Sequence, residues 1–512
     1  MSKDANLVED ANLVADAASP APELGHEKPE REEPPRAPAR AAAAPPPLPY
    51  QEMLRSTAYE RMRAEHPEEF APVSVFFTHD PRSAIDRRKG FRVKAALVYE
   101  AVTGHHSDDH TRANSLLLAL ANECHSRIIQ VPTGDAAATA GGAGDASPGD
   151  ALRTPRPDNQ ETDDKGKSNN APAAELTDEG WDERQKRVVD GIFLVVGFLP
   201  KLNEAIAKSG GDRDGVDETF KSQHMHDIVT DVVKLENQLP LRDLLDVAGV
   251  VEAAVRETVA GAGEYKLPYA MDSFGDVVRD FCWYYSPFSS SRKAAASPFK
   301  SVAADDAMAA RTLLDCLHMS VVKPPPPPQG AGASGGGATG RPSRMPTARE
   351  LRRSGVRIQA SETGRAEVEF AQPAVRLPAL VYDFKLATVA RNLLAREYDE
   401  QSKPVTRYFQ MMNELVEDAA DVRILRGAGV VRGGSGGGAQ PQEVLRLVKG
   451  IDRHATYPSV YMAMDREIEK VRKYHDQRMA SFFVRNRPGV IWASSVAAIS
   501  VVAIVAARRN RG

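Results

Sequence analysis

A chain of 512 residues with 66 lysines and arginines against 70 aspartates and glutamates carries a formal charge of −4, so no basic stripe of the kind that grips nucleic acid dominates it. Its three cysteines, Cys124, Cys282 and Cys316, lie far apart without CxxC spacing, which argues against a disulfide framework or a structural zinc site and for small buried apolar roles in a reducing compartment. The N-terminus lacks the apolar core of a secretory signal, and no N-x-[ST] sequon occurs.

Residues 1–48, rich in Ala, Pro and Glu, read as a disordered segment. From 49 to 130 the spacing turns helical, with apolar residues three and four apart in "KGFRVKAALVYEAV" and "TRANSLLLALANECHSRII". Residues 131–178 have no apolar periodicity and read as a disordered insertion. A helical core is expected over 179–323. Its stretch "RQKRVVDGIFLVVGFLPKLNEAI" is apolar on most sides, which marks a central buried helix. Asp190 inside it needs a partner, and a bond to backbone or a neighbouring side chain is preferred over a catalytic role.

Residues 324–345 form a linker that starts as polyproline and continues as Gly/Ser. The part from 346 to 488 mixes helices with strands: "TARELRRSGVRIQA" is a short helix stopped by Gly355, and "AEVEF" and "VRLPALVYD" alternate as strands. A third Gly-rich insertion, "RGAGVVRGGSGGGAQP", precedes two last helices, the second from about Ser459. The fold class expected is mainly α: a helical bundle-like body with a small β element, disordered insertions and one C-terminal transmembrane helix.

That helix rests on residues 489–507. "VIWASSVAAISVVAIVAA" is eighteen residues without a charge, about 27 Å as a helix against a hydrocarbon core of about 30 Å. Trp492 suits the interface; Arg485 and Arg487 precede the stretch, and Arg508 and Arg509 open the basic tail, 508–512. Six lysines and arginines within 470–489 outweigh three in the tail, so the positive-inside rule places the body in the cytosol, with the plasma membrane the expected site. Ala493 and Ala497, and Ala503 and Ala507, have small-xxx-small spacing, a weak signal for self-association.

The search for chemistry finds no HExxH, GxSxG, kinase set or Walker A motif. "HHSDDH" groups His105, His106, Asp108, Asp109 and His110, more readily a solvated loop than a metal site. "HMHD" offers His224, His226 and Asp227, where an N-terminal capping and dipole role for Asp227 is simpler. No cofactor, metal or small-molecule substrate is identified. The remaining cluster is "LENQLP". Helical spacing of Ile228, Val232, Leu235 and Leu239 runs up to Pro240, which turns the chain and suits the first turn of a new helix. Glu236, Asn237 and Gln238 are then placed to satisfy the backbone groups such a turn strands. A catalytic role for these three with Asp190 is the alternative.

With these residues assembled, the chain resembles a plant-specific family, domain of unknown function 247. "DIVTDVVKLENQLPLRDLL" is similar to that family's Leu-Glu-Asn-Gln-x-Pro signature, here Leu235, Glu236, Asn237, Gln238 and Pro240. "VVDGIF" resembles its Asp-Gly-x-Phe segment, here Asp190, Gly191 and Phe193. "ARELRRSGVRI" resembles its Glu-Leu-x-x-x-Gly-Val element with Gly355 and Val356, and "VEFAQPAVRLPALVYDFKLATVARNLLAREYDEQ" its run with Pro378, Asn392 and Leu393. The likeness extends from about residue 70 to the anchor; "VSVFFTHDP" departs from the Ile-Gly-Pro-x-His pattern expected there. The resemblance implies a mostly helical body, often ending in one transmembrane helix, and no established reaction; some members are implicated in grass self-incompatibility. The expectation is a non-enzymatic, membrane-anchored interaction or signalling protein. Its expected partners are the membrane and unidentified proteins, a second copy of itself included. An unrecognised enzyme and a self-associating scaffold or recognition component are the alternatives.

Overall fold

Helix starts are written into the chain as polar residues ahead of apolar runs. In the computed structural model, which describes residues 50–77, 87–106, 109–130, 181–259, 265–269, 273–292, 311–323, 343–433, 440–453 and 455–481, Ser56, Asp182, Ser222, Thr312, Thr347 and Asp418 each accept an N–H from the first turn that follows them. Each such cap contributes roughly 1 kcal/mol.

The first part carries α1 (Gln51–Leu54), α2 (Thr57–Glu65), α3 (Pro67–Phe70), α4 (Arg87–Thr103) and α5 (His110–Gln130). Residues 71–77, between α3 and α4, form no helix or strand. Next, α6 (Glu183–Ile192) passes through a π-helical stretch, Phe193–Phe198, into α7 (Leu199–Lys208). Residues 187–199 are all buried, as their apolar run demands. Helices α8 (Arg213–Thr219), α9 (Gln223–Asp231), α10 (Leu241–Thr258), α11 (Phe274–Tyr285) and α12 (Leu313–Val321) complete the central layer. Helix α5 lies against α4, α6 and α10, and α11 against α12.

The C-terminal part opens on α13 (Ala348–Arg353). Gly355, at φ +81°, ends it: the Gly355 N–H bonds the Arg352 carbonyl and the Val356 N–H that of Leu351, a Schellman closure that requires the left-handed conformation glycine adopts freely. Strands β1 (Arg357–Ser361), β2 (Glu369–Ala371) and β3 (Ala374–Pro378) follow; β3 is central, parallel to β1 and antiparallel to β2. The turn between β2 and β3 holds a cis Gln372–Pro373 bond. Strand β4 (Leu380–Tyr382) leads to α14 (Leu386–Arg396), α15 (Pro404–Leu415), α16 (Ala419–Gly427), β5 (Val431–Gly433) and α17 (Pro441–Ile451), and residues 463–481 are helical.

All described residues belong to one compact unit, 47–512, and one apolar cluster runs through it from Met53 to Val471. The body is mainly helical with small sheets, as the spacing indicates. Several expectations need correcting. The helix ahead of Pro240 stops at Asp231 rather than running to Leu239, and Leu235–Asn237 is a separate 3₁₀ turn. The strand expected in "AEVEF" begins only at Glu369. Val431–Gly433, within the expected third insertion, is a strand parallel to β4. The linker ends before residue 343, because the Ser343 carbonyl accepts from Arg407 and the Met345 N–H donates to Glu414. The expected disordered segments 1–48 and 131–178 and the expected membrane helix 489–507, with Trp492, Arg485, Arg487, Arg508 and Arg509, lie outside the described residues. Among the described residues no helix is long and apolar enough to cross a membrane.

Candidate functional site

The densest polar cluster gathers where α9 ends. Asp231, fully buried, turns its carboxylate onto three successive backbone N–H groups, those of Val73, Ser74 and Val75, at 2.6–3.0 Å. Lys234, also fully buried, bonds Asp231 at 3.0 Å and the carbonyl of Ala71 at 2.7 Å. A buried ion pair is costly unless further hydrogen bonds support it, and here three N–H groups and the Ala71 carbonyl do so. Burial pushes the Asp231 carboxyl above its ordinary range, against the pull of Lys234 and of the Val75 and Ser74 N–H groups.

The 3₁₀ turn extends the clamp. Asn237 Oδ1 accepts the Phe77 N–H at 2.5 Å, and its Nδ2 donates to the carbonyls of Val75 and Asp231, both at 2.9 Å. Gln238 Nε2 donates to the Val232 and Lys234 carbonyls, and its Oε1 accepts the Leu314 N–H at 3.0 Å, which ties the turn to α12. Glu236 points the other way: it accepts from Tyr59 Oη at 2.9 Å and Arg63 Nε at 2.5 Å on α2. The Leu235 N–H donates to Asn392 Oδ1 on α14, and Asn392 Nδ2 donates to the Glu69 and Thr388 carbonyls. Pro240, directly before α10, makes an isolated bridge with Thr312. Leu235 and Leu393 fill the surrounding core.

Asp190, in the second motif, reaches the same segment from the far side. Lys94 Nζ sits 2.5 Å from Asp190 Oδ1 and also donates to the Phe76 carbonyl. Phe193 packs on Phe77 with ring centroids 5.7 Å apart. Gly191 lets α10 approach: a Cβ there would stand 2.9 Å from Val247 Cγ2. Residues 71–77 are therefore held through backbone atoms by side chains from α4, α9 and the 3₁₀ turn, with Phe77 capped by Phe193. The side chains of Asp190 and Glu236 are 6% and 7% exposed, and Asn237 and Gln238 are 1% and 4% exposed. Nothing in this geometry presents them to a substrate, whereas the enzyme alternative needs them in reach of solvent.

The other family positions are distributed over the C-terminal part. Pro378 ends β3 and its carbonyl accepts from Tyr408 Oη at 3.0 Å. Gly355 and Val356 close α13, as described. Two residues that sequence reasoning missed are Glu397 and His318: fully buried Glu397 accepts the Val405 and Thr406 N–H groups at the start of α15 and pairs with His318 Nε2 at 2.8 Å. Lys385 is a further unforeseen group, buried between Asp383 at 2.6 Å and Asp217 at 3.1 Å, with Tyr284 Oη on Asp217.

The two histidine groups fare differently, and only the second departs from its expectation. His105, His106 and His110 are exposed, Asp108 lies outside the described residues, and Asp109 accepts the Thr111 and Arg112 N–H groups at the start of α5. Ser222, not Asp227, caps α9; Asp227 lies a turn further on, bonded by Gln223, and His226 stacks on Phe384 at 3.9 Å. Among the described residues His66, Glu68 and Glu69 bring possible metal ligand atoms within 4.8 Å of one another. Arg391 already occupies Glu69, and both Arg391 and Arg453 line the adjoining shallow cleft, so positive charge there opposes a cation. Arg453 is itself paired with Glu65.

The chain belongs to the DUF247 family, described as plant protein of unknown function, whose model matches residues 185–506. The matched span begins well after residue 70, so the clamped segment 71–77 lies outside it while the clamping turn lies inside. A UPF0481 protein of Arabidopsis thaliana is 30% identical over 139 residues, covering 26% of this chain and 26% of that relative. The match thus spans about a quarter of the relative's length. No solved structure gives a significant match.

Proposed function

We propose that this protein is a non-enzymatic, membrane-tethered interaction protein whose helical body stands in the cytosol. The observation that carries this reading is the use to which the family signature is put. Glu236, Asn237 and Gln238 spend their hydrogen-bonding capacity on α2, on the backbone of 75–77 and on α12, which leaves a surface rather than a reactive constellation as the means of action. The family has no assigned reaction against which to set this. The tether is the uncharged stretch 490–507 between arginines, and the excess of lysine and arginine over 470–489 supports a cytosolic body.

The test is protease protection in sealed vesicles carrying the full chain with a tag at each end. Digestion of the N-terminal tag without detergent is expected, with a fragment retained by the membrane after an alkaline wash. A protected N-terminal tag would reverse the topology, and loss of the whole chain in the wash would remove the tether.

A further inference from the structure

We propose that Arg352, Arg353 and Arg357, with Lys473 and Arg478, form a surface that lies on anionic lipid headgroups of the membrane bearing the tether; this rests on the reading of 490–507 as an anchor. The helix over 463–481, which leads towards that stretch, is fixed to the body from Asp465 to Tyr474. Its Asp465 pairs with Arg407 at 2.7 Å with both side chains fully buried, Glu467 accepts the Phe370 N–H at 3.1 Å, Ile468 and Val471 are fully buried, and Tyr474 packs on Phe370 at 5.7 Å. The body therefore has one orientation relative to the point where the chain leaves it.

Exposed basic residues gather near that point. Arg478 Nη2 lies 3.8 Å from where a Cβ on Gly355 would be, so the end of the helix abuts the closure of α13. Arg352, Arg353 and Arg357 flank Gly355 and are exposed, as are Lys473 and Arg478. Among the described residues no ion pair engages Arg352, Arg353, Arg357 or Lys473. Nearby carboxylates are otherwise committed: Glu350 closes the α13 capping box, Glu467 bonds Lys470, and Asp476 lies 3.8 Å from Arg472. From Ser481 to Val490 the chain spans about 13 Å if helical and up to about 30 Å if extended. The leaflet next to a cytosolic body is the anionic one, and its potential decays over about 8 Å at physiological salt. So short a connection lets exposed arginines beside the helix over 463–481 come within that range of the surface.

The full chain is reconstituted into phosphatidylcholine vesicles with and without phosphatidylserine, and arginines are labelled with a dicarbonyl reagent and read site by site by mass spectrometry. Labelling of Arg352, Arg353 and Arg357 should slow about threefold or more with phosphatidylserine and recover at high salt, while exposed Arg61 on α2 stays unchanged. In R352Q/R353Q/R357Q, acylation of Lys473 should lose most of its dependence on phosphatidylserine. Equal labelling in both vesicles, with the chain firmly embedded, overturns the proposal and leaves the anchor standing. A chain stripped from every vesicle by alkaline wash sinks the anchor itself. Slowing by soluble polyglutamate but not by phosphatidylserine would assign the face to an acidic protein instead.

Discussion

The backbone N–H of Leu235 donates to Asn392 Oδ1 at 2.8 Å, so two motifs that stand 157 residues apart meet through one buried bond. The same Asn392 holds the Glu69 carbonyl at 2.8 Å, and Glu69 is the last helical turn before the segment that Asp231 and Asn237 grip. The family signature thus works as a joint between the N-terminal segment, the central helices and the C-terminal part.

Asn237→Ala removes three buried hydrogen bonds at once and strands the Phe77 N–H and the Val75 carbonyl. Each stranded group costs about 1–3 kcal/mol, so a loss of roughly 3 kcal/mol or more of folding stability is expected from chemical denaturation. A change below about 0.5 kcal/mol, as at an ordinary surface site, would contradict the joint.

Gly191→Ala places a methyl 2.9 Å from Val247 Cγ2, in contact with a helix side chain that has little room to yield. Overpacking of this kind costs about 1–3 kcal/mol, and Val247→Ala in the same chain should recover part of it. If the double variant is less stable than the sum of the two single ones, the steric account of Gly191 fails.

Asp243 gives a pH dependence with a definite sign. Burial is the main cause that pushes its carboxyl up to about 6, opposed by Arg187, whose nearest guanidinium nitrogen is 3.8 Å away. A carboxyl whose folded value lies above its unfolded value of about 3.9 contributes stability that is complete below pH 4 and is lost as pH rises through 6. Asp243→Asn should flatten the stability profile between about pH 4 and 6 and leave the protein more stable at neutral pH, by at most about 2–3 kcal/mol. A profile unaltered by the substitution would remove Asp243 as the titrating group.

Arg407 and Asp465 form a pair that is wholly buried, so removing one charge isolates the other. Arg407→Met should cost about 3–5 kcal/mol, whereas R407M/D465L should lose less, because the Asp465 charge is no longer stranded and only Glu414, 3.6 Å from Arg407, loses a partner. The readout is thermal unfolding together with protease cleavage within 463–481, which should accelerate in the single variant only. Equal losses in both variants would argue that packing, not charge, holds the helix.

Local chemistry made part of this legible in the sequence. Pro240 and Gly355 announce their turns because a missing N–H and a free φ act within a few residues. The buried helix around Val188 to Phe198 is visible because its apolar run has no polar face. What Asn237 and Asp231 bond could not be read, since their partners at 73–77 lie about 160 residues earlier and are backbone groups, which leave no trace in side-chain pattern. That also explains how "VSVFFTHDP" departs from the family's pattern: the hydrogen bonds of Asp231, Lys94 and Asn237 to its residues 73–77 involve only N–H and C=O. The early end of α9 at Asp231 has the same origin, because a carboxylate committed to three N–H groups and Lys234 outweighs apolar spacing that would have continued the helix. Val431–Gly433 was hidden by glycines, whose strand exists only because β4 supplies the partner.

Amide hydrogen exchange at Val73, Ser74, Val75 and Phe77 tests the joint most directly. In the native full chain these four amides should exchange only through global unfolding, with protection matching that of the α6 core, and Asn237→Ala should release Phe77 first. Exchange at rates typical of an open loop in the native chain would mean that Asp231 and Asn237 do not hold the segment, and the assignment of the signature to structure would fall with it.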